Sequence, residues 1–183
     1  ETQAAIEQLS EAELPEGDVL VNVDYSSVNY KDAMAVTGNG KIVRAWPMVP
    51  GIDLAGTVRE SDSPRFAPGD QVVLTGWGVG ERYWGGYTQR QRVRSDWLVP
   101  LPRGLDTERA MTIGTAGLTA MLSVLRLEDD GLTPDAGPVL VTGATGGVGS
   151  IAVAVLAQLG YTVNALTRKS DAESRDYLLS LGA

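Results

Sequence analysis

The chain contains no cysteine and no histidine. Without cysteine there is no disulfide framework. Without both residues there is no Cys/His zinc site, structural or catalytic, and neither Ser-His-Asp nor Cys-His catalysis. Any proton donor must be tyrosine, lysine, a carboxyl group or water. Long hydrophobic runs are missing too, since none approaches the ~20 apolar residues that cross a bilayer. Residues from Glu1 onward are polar and show no signal-peptide pattern, so a cytoplasmic location is the default expectation. There is no block of like charge. The formal net charge of −8 over 183 residues is dispersed and offers no general attraction to nucleic acid or to anionic membranes. An anionic substrate would need a local basic pocket.

What is present is globular. Hydrophobic residues make up 43% and charged residues 21%, enough for a core and too apolar for disorder. The length suits one ordinary domain or two small ones.

The first half reads as β-rich. Residues 18–25 alternate Val19, Val21 and Val23 against Leu20, Asn22 and Asp24, a half-buried strand pattern. Further strands are predicted over 53–60, 71–75, 87–93 and 97–99, punctuated by Pro50-Gly51, Pro68-Gly69, Gly85-Gly86 and Pro100. Short strands with regular turn signals suggest a barrel or a sandwich. A short helix is predicted over 30–36, with Asn29 as N-cap.

The texture changes near Pro102-Arg103-Gly104. Residues 1–104 form the β-rich domain in this reading, and residues 105–183 open a parallel α/β domain. Asp106 caps a helical turn. Residues 115–127 carry Leu118, Met121, Leu122 and Leu125 at the spacing of one apolar face. A β-α-β-α series follows: a strand at 138–142, a helix at 147–159 closed by Gly160, a strand at 161–166 and a helix at 171–181. The apolar face of the 147–159 helix is read as Val148, Ile151, Ala152, Val155, Leu156 and Leu159. Two parallel strands with their helices do not make a covered sheet. The chain therefore reads as incomplete at its C-terminal end.

The motif with most chemistry is Val139-Leu140-Val141-Thr142-Gly143-Ala144-Thr145-Gly146-Gly147-Val148-Gly149. A buried strand enters a glycine-rich turn and then an amphipathic helix, the context that a dinucleotide fingerprint requires. Gly146 lets the backbone approach a pyrophosphate, and Gly149 lets the helix pack tightly on the strand. The helix N-terminus offers free N–H groups and a positive dipole end. Ala144 stands where the strict pattern has its first glycine. The second strand ends Thr167-Arg168-Lys169-Ser170. The acid that would hold the ribose hydroxyls of NAD is absent, and two cations and two hydroxyls suit a 2′-phosphate. The expected cofactor is NADPH.

At these residues the chain resembles the medium-chain dehydrogenase/reductase superfamily, in its zinc-free quinone oxidoreductase division. Residues 26–32 (SSVNYKD), 50–56 (PGIDLAG), 74–80 (LTGWGVG), 84–86 (WGG) and 113–117 (IGTAG) narrow the likeness to the acrylyl-CoA (acryloyl-CoA) reductase branch. The resemblance implies a GroES-like β-barrel followed by a Rossmann doubly wound parallel sheet, here truncated. It also implies an initial strand before Glu1 and further Rossmann strands after Ala183. Zinc-dependent relatives would carry a His-Glu pair where Ile52-Asp53 stands, so no metal is expected.

By resemblance, Tyr30 lies beside the nicotinamide, and Asn29 and Asp32 share its active-site segment. Thr145, Gly146, Gly147, Val148 and Gly149 would hold the pyrophosphate, and Thr167, Arg168 and Lys169 the 2′-phosphate. Asn29 is equally readable as a plain N-cap, and Asp32 as a partner of Lys31 or a turn cap. Trp77 and Trp84 read as barrel packing or, second, as pocket wall. Lys41 and Arg44 are candidate contacts for a CoA phosphate or simply solvated. The implied reaction is hydride delivery to the activated C=C bond of an enoyl thioester, with the α-carbon protonated by Tyr30 or by water. Two alternatives stand beside it: a reductase of quinones or enones, and an NADPH-binding scaffold or sensor without catalysis. The implied partners are a small-molecule substrate and, for the full-length protein, a second copy in a homodimer.

Overall fold

The computed structural model describes residues 2–183, which divide into two compact units at Thr115 and Ala116.

The first unit is built on a five-stranded antiparallel sheet. Its strands are β1 (Val19–Tyr25), β2 (Asp53–Ser61), β3 (Gln71–Thr75), β4 (Arg90–Val93) and β5 (Val99–Pro100), in the order β4-β1-β2-β3-β5. Pro100 sits on an edge strand, where its missing N–H breaks no ladder bond. Val19, Val21, Leu54, Val58, Val72, Leu74 and Val93 pack one core with Phe66, Val79, Trp97 and Leu98. Ala55 and Val73 point to the other face, onto Ala110, Met111, Leu101 and Leu105. Each large buried side chain contributes about 1.5–3 kcal/mol. An exposed ion pair such as Lys31–Glu81 contributes about 0–1 kcal/mol, so apolar packing dominates.

Three strand expectations are corrected. Leu20 does not alternate outward but is fully buried beside Val19 and Val21. The strand expected over 87–93 begins only at Arg90, because the Tyr87 N–H is taken by the Pro50 carbonyl and the Thr88 hydroxyl by that of Arg90. The strand expected over 97–99 begins only at Val99, as β5, because residues 95–97 form a 3-10 turn. Asp18 draws it off the ladder by accepting from Ser95 N at 2.6 Å and Ser95 Oγ at 2.7 Å.

Helix α1 (Tyr30–Thr37) starts at Asn29 as expected and ends at Gly38, in the left-handed region at φ 70°. The long helix α2 (Thr107–Asp129) is broken at Gly114, with φ 52° and ψ −160°. By length and composition alone α2 would pass for a membrane span, but neither part reaches the ~20 residues required. Residues 107–113 pack in the first unit through Ala110 and Met111. The two compact units meet between Thr115 and Ala116, beyond the composition change at Gly104.

The second unit holds residues 116–129 of α2, β6 (Val139–Thr142), α3 (Gly147–Gln158), β7 (Val163–Leu166) and α4 (Ala172–Ser180). Strands β6 and β7 run parallel, Val139 opposite Val163 and Thr142 opposite Leu166. Val141, Val163, Val153, Leu156, Leu178, Val124 and Tyr161 form one core. Leu140 and Leu166 face the other way and are exposed.

Two helix faces differ from expectation. Leu118, Met121, Leu122 and Leu125 are exposed, and α2 buries Gly117, Ala120 and Val124 instead. In α3 the buried residues are Gly149, Ser150, Val153 and Leu156, while Val148 and Leu159 are exposed. In α2 the smaller side chains face inward, which permits close approach.

Candidate active site

In the first unit a buried carboxylate gathers the chain. Asp53, at the start of β2, is fully buried. Its Oδ1 accepts from Ser27 N at 2.8 Å, while Ser26 Oγ donates to the Asp53 backbone carbonyl at 2.8 Å and lies 3.3 Å from Oδ1. Its Oδ2 accepts from Ser27 Oγ at 2.5 Å, Thr115 N at 2.9 Å and Thr115 Oγ1 at 2.7 Å. Burial alone would push this carboxyl up. The hydrogen bonds from Ser27 and Thr115 outweigh it and hold the pKa below its ordinary value. Gly114 is required beside this cluster: its φ is positive, and a Cβ would lie 2.8 Å from Ser27 Oγ and 3.3 Å from Asp53 Oδ2.

Asn29 and Tyr30 follow directly. Asn29 Nδ2 donates to Ser27 Oγ at 2.9 Å, and Asn29 N donates to Asp32 Oδ2 at 2.9 Å. Asn29 is thus both a helix cap and a member of the Asp53 cluster. Asp32 is 2% exposed, and its Oδ1 accepts from Ile52 N at 3.0 Å. With one oxygen on each of two backbone amides, Asp32 orders the segment and is not presented to solvent. Tyr87 Oη donates to the Ser27 carbonyl at 3.2 Å. Burial first, then the carboxylates of Asp32 and Asp53, push the Tyr87 phenol well up, so it stays neutral. Tyr30, at the first turn of α1, is 84% exposed, and is not packed into the helix start.

The other candidates of this unit separate. Trp84 is tied down, its Nε1 donating to the Pro47 carbonyl at 3.0 Å. Trp77 does not pack in the core as expected. It is 59% exposed, has φ 56°, and stacks on Trp97 at 6.4 Å between ring centroids. Lys41 and Arg44 are exposed.

In the second unit the glycine-rich turn joins β6 to α3. Gly146 is the N-cap of α3, and its N–H donates to the Gly143 carbonyl at 2.9 Å. The first-turn amides, Gly147 and Val148 among them, have no intrahelical acceptor. A Cβ on Gly149 would run into the Gly143 carbonyl oxygen and come within 2.9 Å of Ala144 Cα. Ala144 is fully buried, and its N–H donates to the Leu166 carbonyl at 3.1 Å. Thr145 Oγ1 and Thr167 Oγ1 lie 3.0 Å apart, which joins the turn to the loop bearing the exposed Arg168 and Lys169. Lys169 N also donates to Thr167 Oγ1. A hollow of about 450 Å³ beside them is lined by Thr145, Lys169, Asp171, Glu173, Ser174 and Tyr177. Helix-terminal amides, a close turn that bars a side chain at position 149 and an adjacent cationic loop fit a phosphorylated dinucleotide.

Missed in the sequence were the roles of Ser27, Asp53, Tyr87, Gly114 and Thr115. A signal was present in the run Ile52-Asp53-Leu54-Ala55, because an acid inside an apolar strand requires buried donors. Among the described residues, no cluster of three or more His, Cys, Asp or Glu is placed to hold a metal.

Residues 15–103 match the alcohol dehydrogenase GroES-like domain family. Residues 139–180 match the NAD dependent epimerase/dehydratase family, a match confined to one strand–turn–helix–strand–helix unit that says nothing of the reaction. A GroES-like domain ahead of a dinucleotide-type turn defines the class: the chain belongs to the medium-chain dehydrogenase/reductase superfamily. Within it, the similar proteins include acrylyl-CoA reductases and a putative quinone oxidoreductase. The chain is 63% identical to acrylyl-CoA reductase AcuI of Ruegeria pomeroyi, over all of this chain and 54% of that one. It superposes on Escherichia coli K-12 YhdH with bound NADPH at a TM-score of 0.96 and 58% identity, over 99% of this chain and 55% of that one. Bacillus subtilis YhfP with NAD bound gives 0.92 and 50%, over 99% and 54%. The chain spans about half the length of the curated relatives it matches.

Proposed function

We propose that the protein to which this chain belongs is a zinc-independent, NADPH-dependent reductase of the activated C=C bond of an enoyl thioester such as acryloyl-CoA. The observation that carries this reading is the Thr145–Thr167 contact. It holds a phosphate-binding turn against a loop with two cations and no acid. The likeness to an acrylyl-CoA reductase supports the substrate class.

Bound NADPH would supply a hydride for the β-carbon of the substrate. The residues proposed to hold it are Thr145, Gly146, Gly147, Val148 and Gly149 at the pyrophosphate, and Thr167, Arg168 and Lys169 at the 2′-phosphate. Tyr30 is proposed at the nicotinamide end, where its exposed ring offers a wall. With hydride added to the β-carbon, the C=C π pair would form the bond between the α-carbon and the carbonyl carbon and the carbonyl π pair would move onto the thioester oxygen, so donors near that oxygen lower the barrier. The α-carbon then takes a proton from water or from Tyr30. Asn29 belongs to the same segment, and Asp32 acts by ordering it.

Loss of NADPH absorbance on adding acryloyl-CoA to the full-length protein tests the proposal, and no turnover would refute it. A quinone or enone reductase is the second reading, favoured by 51% identity to a putative quinone oxidoreductase of Bacillus subtilis. A substrate panel separates the two. NADPH binding without oxidation by any electrophile would leave the scaffold reading. A cytoplasmic homodimer belongs to the proposal on the strength of the family resemblance, and cell fractionation and sedimentation test it.

A further inference from the structure

We infer that Asp53 is a positioning residue that sets the orientation of the Asn29 carboxamide through Ser27. The inference rests on the reductase reading for its kinetic consequence and on geometry alone for its structural one. A serine hydroxyl has one proton. Ser27 Oγ lies 2.5 Å from Asp53 Oδ2, an ionised carboxylate oxygen that can only accept, so the proton points there. At 2.9 Å from Asn29, Ser27 Oγ can then only accept. The Asn29 amide must turn its nitrogen to Ser27 and its oxygen away from it.

The groups that donate to Asp53 do not compete for the Ser27 proton. The other partners of Asp53 are the backbone N–H groups of Ser27 and Thr115 and the hydroxyls of Ser26 and Thr115. Backbone N–H groups cannot rotate to become acceptors. The Ser27 carbonyl is held separately by Tyr87 Oη, and the Asn29 backbone by Asp32. The backbone around Asn29 is therefore anchored independently of the relay, and removing the Ser27 hydroxyl releases only the side chain.

The test uses the full-length protein with Ser27→Ala, Asn29→Ala, the double variant and Asp53→Asn. Three readouts are taken: the side-chain amide resonances of Asn29, kcat and KM with whichever electrophile the wild type reduces, and thermal melting. Ser27→Ala is expected to shift the Asn29 resonances and to lower kcat about tenfold, the scale of one charge-assisted hydrogen bond, with KM within about twofold. Asn29→Ala should lower kcat similarly. The double variant should be no worse than the poorer single one, because both act through one group. Asp53→Asn places an amide N–H against a backbone N–H in either orientation, and any copy that remains folded should show the same resonance shift. If it does not fold, Ser27→Ala still decides. Unmoved Asn29 resonances in Ser27→Ala, or kcat losses that multiply in the double variant, overturn the inference. If the wild type reduces neither enoyl thioester nor quinone, the reductase reading fails, and the resonances alone decide on Asp53.

Discussion

Gly149 lies so close under Gly143 that a Cβ on it would collide with the Gly143 carbonyl oxygen and crowd Ala144 Cα at 2.9 Å. Helix α3 can start where it does only because position 149 has no side chain. Gly149→Ala should therefore push the helix N-terminus out of place. We expect a loss of about 1–3 kcal/mol in stability, the scale of an overpacked core, together with weaker NADPH binding. Thermal melting and cofactor titration check this, and an unchanged melt with unchanged affinity would contradict it.

Arg168 is the cation expected to choose between the two dinucleotides. Lys169 is adjacent, but its charge is shared with Asp171, whose carboxyl is held low by the backbone N–H and hydroxyl of Ser174 and, to a lesser degree, by Lys169. Arg168→Ala should weaken NADPH binding by about 1.5–3 kcal/mol, the worth of a charged hydrogen bond, and leave NADH binding nearly unchanged. Titrating both cofactors against both proteins decides, and equal losses would remove Arg168 from the 2′-phosphate site.

If the full-length protein is the proposed reductase, chelation should leave its activity unchanged, since the residues proposed to hold cofactor and substrate include no Cys or His to bind zinc. Activity lost on dialysis against chelator and restored only by zinc would show the opposite.

Tyr30 separates two chemistries. If its hydroxyl is the general acid, Tyr30→Phe should lower kcat by about 10²–10⁴-fold. If its ring is only a wall, Tyr30→Phe should change kcat little and Tyr30→Ala should raise the NADPH dissociation constant. We expect the wall, because an enolate α-carbon can take its proton from water and Tyr30 is 84% exposed. Kinetics and binding of both variants settle it, and two silent substitutions would exclude Tyr30 from the site.

Asp53 predicts a direction for acid stability. Its folded pKa lies below the ordinary value, so the folded state binds the proton less readily than the unfolded chain. The stabilisation is complete above the unfolded pKa and is lost as pH falls through the lowered folded one. Asp18, held low by Ser95 and Arg94 against its burial, acts in the same sense. In the full-length protein, Asp53→Asn should flatten the acid limb of the melting-temperature profile. An unaltered acid limb would show that Asp53 is not part of it.

Much of this was legible in the sequence. The glycine-rich turn, the cation-bearing end of β7, helix α1 with its Asn29 cap and the change from antiparallel to parallel texture all arise from local rules. Glycine spacing, capping chemistry and hydrophobic period act within a few residues, so a linear reading reaches them. That these residues cannot form a Cys/His zinc site follows from composition alone.

The tertiary structure alone decided which donors surround Asp53, since Ser27 and Thr115 lie 26 and 62 positions away. It also decided that α2 turns Ala120 and Val124 inward and leaves its leucines exposed, which periodicity could not choose because both faces are apolar. The break at Gly114 follows the same logic: glycine permits φ 52°, but the crowding of Ser27 and Asp53 requires a residue without a Cβ there. Local sequence determines which conformations and chemistries are open to a segment. Contacts between segments far apart in the chain determine which of them lowers the free energy.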